Sequence, residues 1–200
     1  TPFYPEGGGQ VGDKGYLKDS HGDVVYVLDT RKENNVVIHI TKNLQNHLSE
    51  TFEAVVDSKQ RYRTEANHTA THLLHQALRE ILGNHVEQKG SAVHSKYLRF
   101  DFSHHQKMTP EEKQKVEEII NQQIQKGLAI SFTEMTVEKA LEQGAIGLFG
   151  DRYEEKVKVY KIGDYAKEIC GGPHVENTNI MGHFKIKKEE ASSAGVRRIR

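Results

Sequence analysis

Two short stretches carry side chains suited to binding a metal ion. His68-Thr-Ala-Thr-His72 sets two histidines at i and i+4; on a helix these stand one above the other, so both imidazoles can reach one ion. Cys170-Gly-Gly-Pro-His174 holds the only cysteine of the chain and a further histidine. Its Gly and Pro residues favour a tight loop and make a poor setting for a buried apolar thiol. Taken singly, each stretch also has an ordinary reading, as two exposed histidines or as a small core cysteine. Together, His68, His72, Cys170 and His174 are a nitrogen and sulfur donor set suited to Zn²⁺. A zincin protease would place a glutamate directly after the first histidine as general base, and here that residue is Thr69. A structural zinc finger pairs close Cys/His couples in a short module. These half-sites are far apart in a chain long enough to form its own core, which favours a functional site. His75, one turn beyond His72, reads as a solvent-exposed residue, the alternative being a supporting or proton-relay group behind the ligands.

The elements that must position these residues are of mixed type. Residues 1–60 read as β, with runs at Val24–Asp29, Val36–Ile40 and Thr51–Asp57 separated by turn-formers at Ser20-His-Gly22, Glu33-Asn-Asn35 and His47-Leu-Ser49. Such spacing predicts a small barrel. A glycine loop, Pro5-Glu-Gly-Gly-Gly9-Gln10, lies ahead of it. Composition shifts near Lys59-Gln-Arg61, which divides the chain into 1–60 and 61–200. A helix over Thr64–Leu82 carries Ala70, Leu73, Leu74, Ala77, Leu78 and Ile81 on one stripe, opposite His68 and His72, with Gly83 as its stop. A strand around Leu98–Phe102 follows. The next helix starts at Thr109 with Pro110 and Glu112 in a capping box and ends at Gly127. Strands are predicted at Ile130–Met135, Lys156–Ile162 and Gly182–Lys187, with a short helix at Val137–Gln143. The fold expected is α+β: a small N-terminal β-barrel, then a two-layer antiparallel sheet with helices on one side and zinc between helix and loop.

Composition narrows the setting. Lys+Arg and Asp+Glu balance at 28 each, so the chain as a whole has no electrostatic footprint for nucleic acid. Lys185, Lys187, Lys188, Arg197, Arg198 and Arg200 form a local basic cluster, readable as a nucleic-acid surface or as a solvated strand edge. One cysteine excludes an internal disulfide and fits a reducing compartment. No secretory segment or membrane-length apolar run is present. The expected location is the cytoplasm. The start at Thr1 and the strand-like end read as a piece of a longer protein.

Beyond the half-sites, His68-Thr-Ala-Thr-His-Leu-Leu-His75, Val86-Glu-Gln88-Lys-Gly-Ser91, Leu98-Arg-Phe-Asp-Phe102, Gly144-Ala-Ile-Gly-Leu-Phe149, Cys170-Gly-Gly-Pro-His174 and Gly195-Val-Arg-Arg-Ile199 follow one another along the chain. In this order they resemble the editing region of alanyl-tRNA synthetase, and Phe3-Tyr4-Pro-Glu-Gly-Gly-Gly-Gln10 is similar to that family's glycine motif. AlaX-type trans-editing proteins share these blocks, and threonyl-tRNA synthetase carries the paired half-sites. The resemblance implies hydrolysis of seryl- or glycyl-tRNA(Ala), as a zinc-dependent aminoacyl-tRNA deacylase that is part of an alanine–tRNA ligase or free-standing. The need is physical, because a small pocket separates substrates that differ by one hydroxyl only weakly. It also implies His68, His72, Cys170 and His174 as zinc ligands, and Thr71 and Gln88 as the groups that read the amino-acid side chain. Gly7, Gly8, Gly9 and Gln10 would support the site or the tRNA end. An open coordination position is expected, with His174 the weak or displaced ligand. Pro173 departs from the alanyl pattern, which usually has threonine there, and matches the threonyl one. The competing expectations are a non-enzymatic tRNA-binding module with structural zinc and a metal-dependent hydrolase of another ester or amide.

Overall fold

A computed structural model describes residues 1–43, 51–147 and 155–200. The first four strands are β1 (Gly15–Lys18), β2 (Val24–Glu33), β3 (Val36–Thr41) and β4 (Glu53–Val56), and they form an antiparallel sheet in the order β3-β2-β1-β4. Asn34 and Asn35, both at positive φ (47° and 64°), make the tight turn between β2 and β3, the conformation that matches strand twist and that Asn tolerates. Among the described residues no ladder joins β3 to β4. The strands expected to close into a barrel therefore lie in an open sheet, because strand spacing reports strands but not the stagger that closure needs. The turn expected at His47-Leu-Ser49 lies outside the described residues.

Helix α1 (Ser58–Leu82) begins six residues before the position read from its apolar stripe. Asp57 caps it by accepting from Gln60 N at 3.0 Å, so polar Lys59–Arg63 form the first turns without any apolar periodicity to reveal them. Strands β5 (Gln88–Val93) and β6 (Leu98–Ser103) pair with β10 (Glu189–Ser193) and β11 (Val196–Ile199) in the order β10-β11-β6-β5. Helix α2 (Pro110–Gln125) starts with the predicted capping box, Thr109 with Glu112. Leu73, Leu74, Ala77 and Leu78 of α1 pack with Phe100 and Phe102 of β6, Val116 and Ile120 of α2, and Ile199 of β11 in one core. Each large side chain of this kind contributes about 1.5–3 kcal/mol on full burial.

A third antiparallel sheet, β7-β8-β9, consists of β7 (Ile130–Thr136), β8 (Lys156–Ile162) and β9 (Ala166–Ile169). Helix α3 (Val137–Glu142) and the segment around Ala145 cover one face through Ala140, Ala145, Val157 and Val159. Ile162 and Ala166, on the opposite face, join the main core beside α1. The result is mixed α+β, but α1 touches two separate sheets where one sheet with helices on one side was expected.

The strand predicted at Gly182–Lys187 is irregular. Its backbone pairs instead with side chains of α2: Phe184 with Asn121 in both directions, and Ile186 N with Glu117 Oε1 at 2.8 Å. Much of the basic cluster is paired too. Arg198 reaches Asp101, Arg197 reaches Glu189, Lys185 reaches Glu117, and Lys188 and Arg200 reach Glu190. That part of the surface is an ion-paired sheet edge.

Candidate metal centre

The four residues singled out by their spacing converge. His68, His72, Cys170 and His174 each offer one ligand atom, and these atoms all lie within 4.8 Å of one another. His68 and His72 come from the middle of α1; Cys170 and His174 come from the loop that leaves β9. Cys170 is held against β8 by donating its N–H to Lys158 O at 3.0 Å. Gly172 lets this loop approach α1, since a Cβ there would sit 2.7 Å from His68 Nδ1.

Each histidine is fixed through its Nδ1. His68 Nδ1 lies 2.6 Å from Gln10 Oε1, His72 Nδ1 lies 2.9 Å from Glu168 Oε2, and His174 Nδ1 lies 3.0 Å from Thr69 Oγ1. With Nδ1 as the protonated nitrogen, Nε2 of each ring is left for a ligand, the arrangement that outer carboxylates and carbonyls impose on metal-binding histidines. Cys170 Sγ is 3.3 Å from His68 Nε2, close to the edge of about 3.5 Å in a tetrahedron built from zinc–nitrogen and zinc–sulfur bonds. His174 Nε2 is buried with no partner among the described residues. An orphaned nitrogen beside a thiol and two more imidazoles is a donor set whose chemistry fits a zinc ion.

The electrostatics fit the same description. Burial opposes charge on Cys170, yet the imidazoles of His174 and His68 beside it draw its thiol well below the usual range. Burial also opposes charge on His72, but Glu168 overrides it and pushes the imidazole up to about 10. Burial brings His174 down to about 3, with the charge of His72 adding to the effect.

Glu168 is what the sequence reading missed, and His75 takes the position behind the ligands that stood as the alternative to solvent exposure. Glu168 is 7% exposed and accepts from His72 through Oε2 and from His75 through Oε1, both at 2.9 Å. His75 is therefore buried, not solvent-exposed as expected: its ring lies against Phe100 at 5.4 Å between centroids. The signal available was spacing, because His72 and His75 at i and i+3 share a helix face. No signal in β9 marks Glu168 out from any other strand glutamate.

The glycine motif reaches the centre by a tight hairpin. Gly7 and Gln10 bond to each other in both directions (3.1 and 2.9 Å), and Gly8 and Gly9 between them have φ of 57° and 81°. Val11 N to Val93 O (3.1 Å) and Val93 N to Gly9 O (2.8 Å) dock it on β5, which aims Gln10 at His68. The centre opens into a cleft of about 610 Å³ that Thr71 and Gln88 also line. Thr71 Oγ1 donates to Asn67 O at 2.8 Å and Gln88 Nε2 to Ser91 Oγ at 3.3 Å. Ile146 and Gly147 form part of the wall, and Leu148 and Phe149 of the same motif lie outside the described residues.

Comparison with known proteins finds relatives along the whole chain. Residues 157–200 match the family described as threonyl and alanyl tRNA synthetase second additional domain, and residues 1–62 match tRNA synthetases class II (A). Alanine–tRNA ligases of Christiangramia forsetii, Porphyromonas gingivalis and Coxiella burnetii are 56%, 48% and 50% identical to it, each alignment covering 100% of the chain. The chain is homologous throughout to alanine–tRNA ligases. It spans 23% of the length of these relatives. The similarity read from motifs thus extends over all of the chain, its glycine hairpin included. No helix among the described residues is long and apolar enough to cross a membrane.

Proposed function

We propose that this segment edits mischarged tRNA(Ala), hydrolysing the ester of seryl- or glycyl-tRNA(Ala). The observation that carries the reading is the convergence of His68, His72, Cys170 and His174 at the end of a cleft lined by Thr71 and Gln88, in a chain homologous to alanine–tRNA ligases. In the reaction a water oxygen bonds to the ester carbonyl carbon, the bond to the ribose oxygen breaks, and the proton ends on the ribose hydroxyl. Bound zinc supplies Lewis acidity beside that carbonyl. Glu168, Gln10 and Thr69 hold the three imidazoles in the tautomer that keeps Nε2 available. His68, His72, Cys170 and His174 would hold the ion, with His174 the weakest of the four.

Thr71 already donates its hydroxyl proton to Asn67 O, so towards the cleft it acts as an acceptor. A serine hydroxyl satisfies it. Alanine leaves it unpaired, which gives discrimination of about 1–3 kcal/mol at a buried site. Gln88 is the second group that reads the side chain. Residues 1–60 serve as a subdomain whose hairpin supports the site from outside, and residues 61–200 carry the chemistry. The partner is tRNA(Ala), presented by the remainder of a ligase chain, and the setting is the cytoplasm.

The test is deacylation of seryl-tRNA(Ala) and alanyl-tRNA(Ala) by the zinc-loaded chain, by Cys170→Ala and by chelator-treated protein. Loss of serine alone, abolished by both treatments, is expected. Tight tRNA binding without turnover by folded, zinc-loaded protein would replace the hydrolase with a binding module whose metal is structural.

A further inference from the structure

The face of the third sheet that carries Glu168 changes character along its length. Register places Ile162 opposite Ala166 and Tyr160 opposite Glu168, and across β7 it places Ile130, Phe132, Glu134 and Thr136 opposite Ile162, Tyr160, Lys158 and Lys156. Alternation sends all of these to one side. At the inner end Ile162, Ala166 and Ile130 belong to the core. In the middle Tyr160 packs on His174 with ring centroids 4.3 Å apart. Lys158 is the strand neighbour of Cys170, bonded to it through the backbone. At the outer end Lys156 and Lys158 line the mouth of the cleft, joined from β2 by Lys32, and among the described lining residues Glu134 is the carboxylate paired in register with Lys158. Phe132 stands at the flank, 48% exposed, its ring 5.3 Å from that of Tyr160 and 4.7 Å beneath Lys158 Nζ.

From this gradient we infer that the β7–β8 face is a binding site for single-stranded RNA. The terminal base takes the place of Lys158 Nζ over the Phe132 ring, and the lysine turns out to the phosphates that precede the ester, which run past Lys158 and Lys156 with Lys32 opposite. The inference rests on the editing reading above and gives that site its polynucleotide subsite. At about 3.3 Å of rise per residue, Lys158 and Lys156 lie about 7 and 13 Å along the strand from Tyr160, a spacing of the order of successive phosphates in an extended strand. An aromatic surface beside a row of cations is the combination that holds unpaired nucleotides without reading their sequence. It also accounts for how a chain of zero net charge holds a polyanion: the cations are gathered where the backbone must pass.

The experiment measures binding of a labelled single-stranded RNA octamer ending in CCA to the zinc-loaded chain as a function of salt. It also measures KM and kcat for seryl-tRNA(Ala). Variants are Lys156→Ala/Lys158→Ala and Phe132→Ala, with Lys115→Ala on the far helix as control and circular dichroism to confirm folding. The double lysine variant is expected to lower the slope of log affinity against log salt by about 1.4, or about 0.7 for each phosphate left without its lysine. Phe132→Ala should weaken binding by at least about fivefold at every salt concentration. Both should raise KM while kcat stays within about twofold, the pattern expected when ground state and transition state are bound less tightly by the same amount. Wild-type hydrolysis with slope and KM unchanged in the variants would overturn this site and leave the editing reading intact. RNA binding that depends on these residues without any hydrolysis would do the reverse. Absence of octamer binding by the wild type would overturn the site outright.

Discussion

Glu168 gives the sharpest test of how the metal centre is built. Its two oxygens each accept one Nδ1–H, from His72 and His75, at 2.9 Å. Glu168→Gln keeps the volume but leaves one acceptor oxygen for two donors. The amide NH₂ must then face one of the rings, which has to accept at Nδ1 and carry its proton on Nε2. If that ring is His72, its ligating nitrogen is blocked. Loss of an outer carboxylate of this kind costs about 10–100-fold in metal affinity, which corresponds to about 1.4–2.7 kcal/mol. The assay is zinc competition against a chromogenic chelator at neutral pH, with nitrogen-15 NMR reporting the His72 tautomer. Adding His75→Phe to Glu168→Gln removes the competing donor and frees the amide oxygen for His72. The double variant should therefore bind zinc more tightly than the single one. A purely structural role for Glu168 predicts no such recovery. Zinc affinity within about twofold of wild type in folded Glu168→Gln, with His72 still protonated at Nδ1, would refute the reasoning.

Other outcomes rest on the same geometry. With the Cys170 thiol drawn well below its usual range, His174 brought down to about 3 and His72 raised to about 10 without metal, zinc binding at neutral pH should release the proton of His72 rather than that of the thiol. Calorimetry in buffers of different ionisation enthalpy counts it, and a release of two would mean that the thiol is protonated. The stability of the metal-free chain follows from the same groups. The raised His72 contributes fully below the unfolded value of about 6.5 and loses its contribution as pH rises through about 10. The lowered His174 favours the fold above that value and loses its contribution as pH falls towards about 3. Chelated protein should thus be most stable between these limits in a denaturant series, and a stability rising steadily below pH 6 would contradict the burial of neutral His174. Gly172→Ala puts a methyl 2.7 Å from His68 Nδ1 and should weaken zinc binding at least about tenfold with little change in secondary structure. Phe100→Ala removes a fully buried ring from between α1 and the second sheet and should cost about 3–5 kcal/mol in urea unfolding.

The parts of the molecule legible in the sequence are those specified locally. The capping box at Thr109 and Glu112, the i and i+4 histidines and the Gly-Pro loop around Cys170 each state their geometry within a few residues. The parts that were not legible depend on what arrives from elsewhere. Gly182–Lys187 has the alternation of a strand, but Asn121 and Glu117 of α2 satisfy its backbone before a strand can. His75 resembles a surface histidine until β9 brings a carboxylate to it. The basic residues near the carboxyl end look like an RNA surface until Asp101, Glu189 and Glu190 are placed beside them. The cations at the cleft come instead from Lys32, Lys156 and Lys158, which no clustering along the chain would select.

The same contrast explains why the metal centre needs so much of the chain. A ligand pair on α1 is simple to specify, since a helix sets the spacing of His68 and His72 whatever surrounds it. What a helix cannot set is the rotation of each ring or the protonation of its nitrogens, and a ring turned the wrong way does not ligate. Those are decided by Gln10 from the glycine hairpin, Thr69 from α1 itself and Glu168 from β9, three groups from segments that only the completed fold brings together. Gln10 reaches His68 because Gly8 and Gly9 accept positive φ and Val93 holds the hairpin on β5. A motif that reads as a loose loop in sequence is thus a structural arm of the metal site. The hairpin and the two half-sites all lie within the stretch homologous to alanine–tRNA ligases, and in the fold Gln10 of the one orients His68 of the other.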